Sequence, residues 1–317
     1  MIIALACVAV FAIGVLAFGL ATGFGFGDFF DTIDAGVYET PYTYTEEAEY
    51  LREISVSWSS GPVSLSFYDG DVIRVTETAK YALKEEEKLL LELSGGELSI
   101  RWSSEWLHLD FMRDTSKKLE VQIPRQFANT LDSVSIETAS GNIEVENLAA
   151  AEASFHTISG NLELKNIRAE ELKVSSTSGD ILGESLTGSE KLRAESVSGK
   201  ITLTALTADA LELDTTSGEI HVEGAAAELY CDSVSGDIAL AMQKWAEEAE
   251  ISSVSGKVAV TAPETADGFT CEFSSVSGDF HCGFAAQKEK NIYVVGAGKA
   301  EMKISTTSGD VRLEPAA

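Results

Sequence analysis

From residue 131 onward, nine serines stand directly before a glycine: Ser140, Ser159, Ser178, Ser198, Ser217, Ser235, Ser255, Ser277 and Ser308. A serine on a tight turn becomes an acyl-transfer nucleophile when a histidine and a carboxylate are placed to take its proton. Catalysis needs one distinguished residue, yet here the motif recurs nine times and no copy has a recognisable His and Asp partner set. The residue after each glycine is Asn142, Asn161, Asp180, Lys200, Glu219, Asp237, Lys257, Asp279 or Asp310. Stacked carboxylates are hard oxygen ligands suited to Ca²⁺. Lys200 and Lys257 interrupt that ladder, and no repeat reproduces the Gly-Gly-x-Gly-x-Asp nonapeptide of calcium solenoids, so a solvated acidic face is expected. His108, His156, His221 and His281 show no ligand-cluster spacing, and Cys7, Cys231, Cys271 and Cys282 match no zinc ribbon, finger or CxxC pattern. Trp102, Trp106, His108 and Phe111 would suit a ligand platform, but aromatics at strand spacing usually pack, which favours a small core with one exposed loop. No catalytic, cofactor-binding or metal-binding residue is assigned, and the expectation is a protein that is not an enzyme and has no cofactor.

The elements that carry these residues follow from the repeat itself. The glycines are Gly141, Gly160, Gly179, Gly199, Gly218, Gly236, Gly256, Gly278 and Gly309, at intervals of 19, 19, 20, 19, 18, 20, 22 and 31. A period near 20 residues predicts a solenoid. Seven and five residues before the glycine, and two and four after it, apolar residues recur, as in Leu211, Leu213, Ile220 and Val222. Each coil thus supplies two short strands with alternate residues turned inward, and stacked coils build a continuous apolar column. The inward parity shifts between the two strands, which predicts a bend at Ser-Gly. Three residues before the glycine is always Ser or Thr, placed to satisfy backbone groups at that bend. The glycine either adopts a backbone angle closed to other residues or permits close approach of neighbouring coils. Cys231, Cys271 and Cys282 fall on inward positions and are expected to be buried thiols, with a Cys271–Cys282 bridge left open. Gly183 replaces an inward Val or Leu and predicts a local kink.

At the N-terminus, residues 2–26 carry no charged side chain, long enough for a membrane-crossing helix. Residues 1–26 are therefore expected to be a transmembrane or signal anchor, with cleavage after Gly19-Leu20-Ala21 as an alternative. An acidic linker follows at residues 27–50, with seven acids and no Lys or Arg. Residues 51–125 alternate with period two around turns at Asp69-Gly70 and Gly95-Gly96, which predicts about six antiparallel strands capping the first coil. Residues 126–317 are the solenoid domain, with an excursion at Ala285–Ala300 that includes an extra strand over 291–295. The fold class is all-β: one anchor helix, an antiparallel β cap and a single-stack parallel β-solenoid of about nine coils.

The net charge of −28, with −18 in residues 131–317, argues against nucleic acid, because phosphate binding needs clustered Lys and Arg. The repeated [ST]-x-S-G-[DNEK]-[ILVF]-x-[LV] unit resembles the bacterial putative-adhesin β-repeat family, a domain of unknown function in cell-envelope proteins of Gram-positive bacteria. The resemblance spans residues 131–313. It implies a β-solenoid at the cell envelope, with links in some relatives to envelope-stress sensing, and it implies no catalytic residues. The leading expectation is a single-pass membrane protein whose bulk is extracytoplasmic and which binds or scaffolds. Its partner is an envelope protein, a cationic peptide or a wall polymer. An envelope-stress sensor that binds a membrane protein is the alternative, and a polysaccharide-acting enzyme the minority reading.

Overall fold

Every strand of the repeat region alternates inward and outward side chains, and the stack grows by pairing like positions of successive coils. A computed structural model describes residues 40–103 and 115–316. The repeat region begins with β8 (Leu131–Ser140), β9 (Ile143–Glu146) and β10 (Ala149–Thr157), continues through β11 (Leu162–Ser176), β12 (Ile181–Ser196), β13 (Ile201–Thr215) and β14 (Ile220–Ser233), and then β15 (Ile238–Met242), β16 (Glu248–Ser253) and β17 (Val258–Ala262). All these neighbours pair in parallel and in register, for example Leu211 with Leu229 and Ile201 with Ile220. The four long strands carry the second strand of one coil into the first strand of the next. Asn166, Ser185 and Ala205 turn the corner between them in the left-handed region, as Asn147 does between β9 and β10. The inward residues, Val134, Ile136, Ile143 and Val145 among them, are fully buried in one column that runs through the described chain.

Residues 51–125 do not form a separate antiparallel cap. They comprise β2 (Glu53–Ser60), β3 (Val63–Tyr68), β4 (Ile73–Ala79), β5 (Leu90–Ser94), β6 (Glu97–Arg101) and β7 (Lys117–Pro124), preceded by β1 (Thr40–Glu46). β2 and β3 make a coil in register with the first repeat: Ile54 lies against Val134, Val56 against Ile136, and Val63 against Ile143. β6 and β7 make another coil, paired in parallel to β2 and β3 on their far side. Only the outermost strands are antiparallel, with β5 on β6, β4 on β7 and β1 on β4. The physical reason is that period-two alternation fits either direction of pairing. Trp58-Ser59-Ser60-Gly61 keeps the repeat's spacing but puts Trp where the other coils have Ser or Thr.

The C-terminal end mirrors this. β18 (Phe269–Ser275) and β19 (Phe280–Cys282) precede β20 (Gln287–Glu289) and β21 (Ile292–Val295), and then come β22 (Ala300–Thr306) and β23 (Val311–Pro315). β16 and β17 pair with β22 and β23, which pair with β18 and β19. At the N-terminal end the earlier coil, β2 with β3, lies nearer the middle and the later one, β6 with β7, at the tip, whereas at the C-terminal end the later coil, β22 with β23, lies nearer the middle and the earlier one, β18 with β19, at the tip, so both pairs of end coils are exchanged relative to chain order. The described coils number eleven, against about nine expected, and ten spacings of ~4.8 Å give a stack about 48 Å long. The 285–300 excursion supplies the antiparallel hairpin β20–β21, which covers β18.

The candidate membrane segment at residues 1–26 lies outside the described residues, as do Cys7, Trp106, His108 and Phe111. Among the described residues no helix is long and apolar enough to cross a membrane. Gly183 causes no kink, because β12 runs through it and Leu186 and Leu203 fill the space of its missing side chain.

Candidate functional site

The arch at Ser-Gly is the most repeated feature, and its chemistry is consumed by the backbone. The Thr or Ser three residues before the glycine is buried in most coils and accepts that glycine's N–H: Thr157 from Gly160 at 3.0 Å, Ser196 from Gly199 at 2.8 Å, Thr306 from Gly309 at 2.8 Å. Ser233 and Ser253 instead donate to the carbonyls of Gly236 and Gly256. Thr138, in register with Trp58, is the exception, with no partner for its hydroxyl among the described residues. Several serines directly before the glycine donate to a carbonyl of the adjacent coil, as Ser217 does to Val197 and Ser308 to Val254. All nine glycines are required by close approach: a Cβ on any of them would lie between 1.7 and 2.0 Å from the carbonyl oxygen of the glycine in the adjacent coil.

The residue after the glycine has its own backbone task. Asn142 Oδ1 accepts the N–H of Asn161, Asn161 that of Asp180, and Asp180 that of Lys200. Asp237 accepts from Lys257, and Asp310 from Asp279. The side-chain oxygen of one coil thus caps an N–H of the next, and lysine is tolerated because its N–H still donates. Among the described residues no group of His, Cys, Asp and Glu is arranged to hold a metal ion.

The outer face of the first strand in each coil carries the densest charge. Four residues before the glycine stand His156, Ser175, Glu195, Asp214 and Asp232 on successive coils. Arg193 reaches Glu195, Glu212 and Asp214, with Glu212 at 3.2 Å and Asp214 at 3.4 Å. Partial burial, with Glu195 and Asp232 nearby, outweighs the Arg193 charge and pushes the Asp214 carboxyl up to about 6. Burial also raises Asp232 and lowers the His156 imidazole, which lies 2.8 Å from Ser175 Oγ. Two shallow polar grooves flank the stack. One of about 290 Å³ runs along the left-handed corner past Asn147, Asn166 and Arg168, and another of about 310 Å³ lies beside Glu144, Glu146 and Glu163.

A buried ion pair near the N-terminal end escaped sequence reasoning. Lys117 Nζ donates to Glu77 at 2.9 Å and to the carbonyl of Glu87 at 2.9 Å. Glu77 also accepts from Tyr44 and from the N–H of Leu89. The ammonium lies 4.2 Å from the Trp102 ring centre and 5.1 Å from Trp58, and Trp58 Nε1 donates to the Lys117 carbonyl. Burial lowers the Lys117 ammonium from its ordinary value and Glu77 opposes this. The group ties β4, the turn before β5, and β7 to the Trp58 arch. Its only signal in the sequence is the Trp58 substitution within an otherwise regular arch. Trp102, expected to pack, stands edge-on to Trp58 at 4.8 Å. Cys231 and Cys271 are buried free thiols as expected, and Cys282 is a free, partly exposed one.

A putative adhesin from Parabacteroides distasonis, 12% identical, aligns with a TM-score of 0.51 over 86% of this chain and 97% of its own, which shows a shared fold. A putative cell adhesion protein from Clostridium sporogenes, 10% identical, covers 87% of this chain and 100% of its own. A putative adhesin from Bacteroides fragilis, 12% identical, covers 87% and 97%. Their TM-scores of 0.25 and 0.40 are too low to support a comparison of geometry. No curated protein matches the chain in sequence. The Toastrack DUF4097 family model matches residues 51–238 and again 184–314, two overlapping placements on one translational repeat, and the first begins at the coil built by β2 and β3. The chain belongs to the Toastrack DUF4097 family.

Proposed function

We propose that the chain is a membrane-anchored, extracytoplasmic binding or scaffolding protein of adhesin type, without catalytic activity, whose side walls take a cationic partner. The observation that carries this reading is the outer face of the stack. Flat, periodic rows of side chains run across successive coils, and carboxylates occupy consecutive positions at Glu195, Asp214 and Asp232, with Glu212 beside them. A periodic wall suits a partner that is itself repetitive or flat, and a net −18 over residues 131–317 draws positive charge. Of the arch serines that might have served as nucleophiles, Ser217, Ser235, Ser255, Ser277 and Ser308 donate to backbone carbonyls of the adjacent coil. The charge-free segment 2–26 supports the anchor, and the names given to the similar structures support adhesion.

The test is binding of cationic antimicrobial peptides and purified wall polymers to the full-length chain across a salt series. The reading expects saturable binding that weakens steadily with salt, and weaker binding to a chain carrying Asp214→Asn with Asp232→Asn. Binding that ignores salt, or none to any of these probes, sinks it.

A further inference from the structure

Each coil leaves a template for the next, and the coil at the C-terminal tip leaves its template half unused. On the first-strand side, β21 covers β18 and β20 covers β21. On the second-strand side, β19 has a paired neighbour among the described residues only in β23. Leu313 accepts from the N–H of Gly283 and Asp279 accepts from that of Val311, so the odd-numbered residues face β23. Alternation then turns the N–H and C=O of Phe280 and Cys282 outward, to the open edge. A third open group lies beside them. In the ladder of residues after the glycine, the side-chain oxygens of Asn142, Asn161, Asp180, Asp237 and Asp310 each cap an N–H of the next coil, that of Asp310 taking the N–H of Asp279. The Asp279 carboxylate is the last of the row, and no hydrogen bond to it is present among the described residues. The inward side chains at this level, Phe280 and Cys282, are only partly buried. Phe280 is flanked by Phe273 at 4.8 Å and Tyr293 at 4.4 Å, and Val276 in the same coil is 83% exposed. On the outer face, His281 lies in register with Arg312.

We propose that this tip is a strand-acceptor site for an extended segment of a partner protein, which adds in parallel to β19 as one more coil would. The occupant is specified by what is open. Its first residue donates an N–H to Asp279, two apolar residues continue the column over Phe280 and Cys282, and an acidic residue between them faces His281 and Arg312. Main-chain bonds supply affinity and the alternate side chains supply selectivity.

The experiment uses the full-length chain and a fluorescein-labelled peptide of sequence Gly-Asn-Val-Glu-Val-Thr, with Gly-Asn-Ser-Glu-Ser-Thr and Gly-Asn-Val-Lys-Val-Thr as controls, read by fluorescence anisotropy. The first peptide should bind saturably, and each control at least tenfold more weakly. Cys282→Pro removes one outward N–H and no bond of the ladder, and Asp279→Ala removes the open acceptor. Each should weaken the first peptide at least tenfold with an unchanged thermal melt. Arg312→Glu should reverse the preference between the Glu and Lys peptides. No saturable binding by the unaltered chain, or equal binding by Cys282→Pro, overturns the proposal. So does sedimentation that shows a second copy of the chain occupying the edge. Salt-dependent binding of cationic probes to the side wall should be the same in Cys282→Pro, so the two readings fail separately.

Discussion

Replacing Gly199 by alanine tests the claim that the arch glycines are there for close packing of coils. An ideal Cβ at Gly199 lies 1.9 Å from the Gly179 oxygen, 2.4 Å from its carbon and 3.0 Å from the Asp180 nitrogen. Ordinary contact needs about 3.5 Å, so the coils must part by roughly 1.5 Å at the arch. The flanking bonds from Ser198 N–H to the Thr177 carbonyl at 3.0 Å and from Ile181 N–H to the Lys200 carbonyl at 2.8 Å do not survive that movement. Two lost backbone bonds at about 1 kcal/mol each and 1–3 kcal/mol of overpacking give a destabilisation of about 3–5 kcal/mol. The loss of unfolded-state freedom on going from glycine to alanine offsets about 0.4–1 kcal/mol of this. Gly278→Ala meets the Gly309 oxygen at 2.0 Å, but its coil is the last and can tilt outward, so about half the effect is expected. Gly183→Ala meets only the side-chain ends of Leu186 and Leu203, at 2.5 and 2.8 Å, and should cost about 1 kcal/mol or less. The assay is urea unfolding of the full-length chain followed by circular dichroism. A Gly199→Ala protein within about 0.5 kcal/mol of the parent, or less damaged than Gly183→Ala, would refute the reasoning.

Lys117→Met should destabilise by about 3–5 kcal/mol, because it strands the Glu77 carboxylate in a site where its side chain is fully buried. Lys117→Met with Glu77→Gln should recover much of that in the same unfolding assay. The Asp214 carboxyl, raised to about 6 in the fold from an unfolded value near 3.8, holds its proton more tightly when folded. Its contribution to stability is therefore present below pH ~4 and is lost as pH rises through about 6, and Asp214→Asn should flatten that segment of a stability–pH curve. Burial pushes the Cys231 thiol well above its ordinary value and Cys271 up to about 12. Iodoacetamide at pH 8, followed by mass spectrometry, should leave both unmodified until urea is added, and rapid labelling of Cys231 in the folded chain would contradict the packed column.

The repeat made the middle of the stack legible. Leu211, Leu213, Ile220 and Val222 were placed inward by spacing alone, and the hydroxyl at Thr157 or Ser196 was assigned to the bend where it sits. The ends were not legible, for two reasons. Trp58 broke the hydroxyl rule at the first arch, although Ile54, Val56, Val63 and Leu65 keep the offsets of every other coil around Gly61. Sequence order also carries no information about which coil lies outermost, since Gly278 and Gly309 have the same local pattern and only long-range pairing places Gly309 beside Gly256. The Lys117–Glu77 pair was hidden for a similar reason, with 40 residues separating its partners. The row of Asn and Asp after the glycine was seen as a solvated face, and its capping of backbone N–H groups emerged only once the register was known.

The exchange of the last two coils decides which edge the tip presents, so it is the claim to test most directly. Ser252 and Ser305 lie side by side, Oγ to Oγ at 3.1 Å, because β16 pairs with β22. In a stack that followed chain order, Ser252 would instead adjoin Ser274, its counterpart in β18. The measurement is mild oxidation of two double variants of the full-length chain, Ser252→Cys with Ser305→Cys and Ser252→Cys with Ser274→Cys, read by peptide mapping. The account predicts an intramolecular disulfide in the first pair and none in the second, while a disulfide formed only in the second would contradict the exchanged order and the open edge at β19 with it.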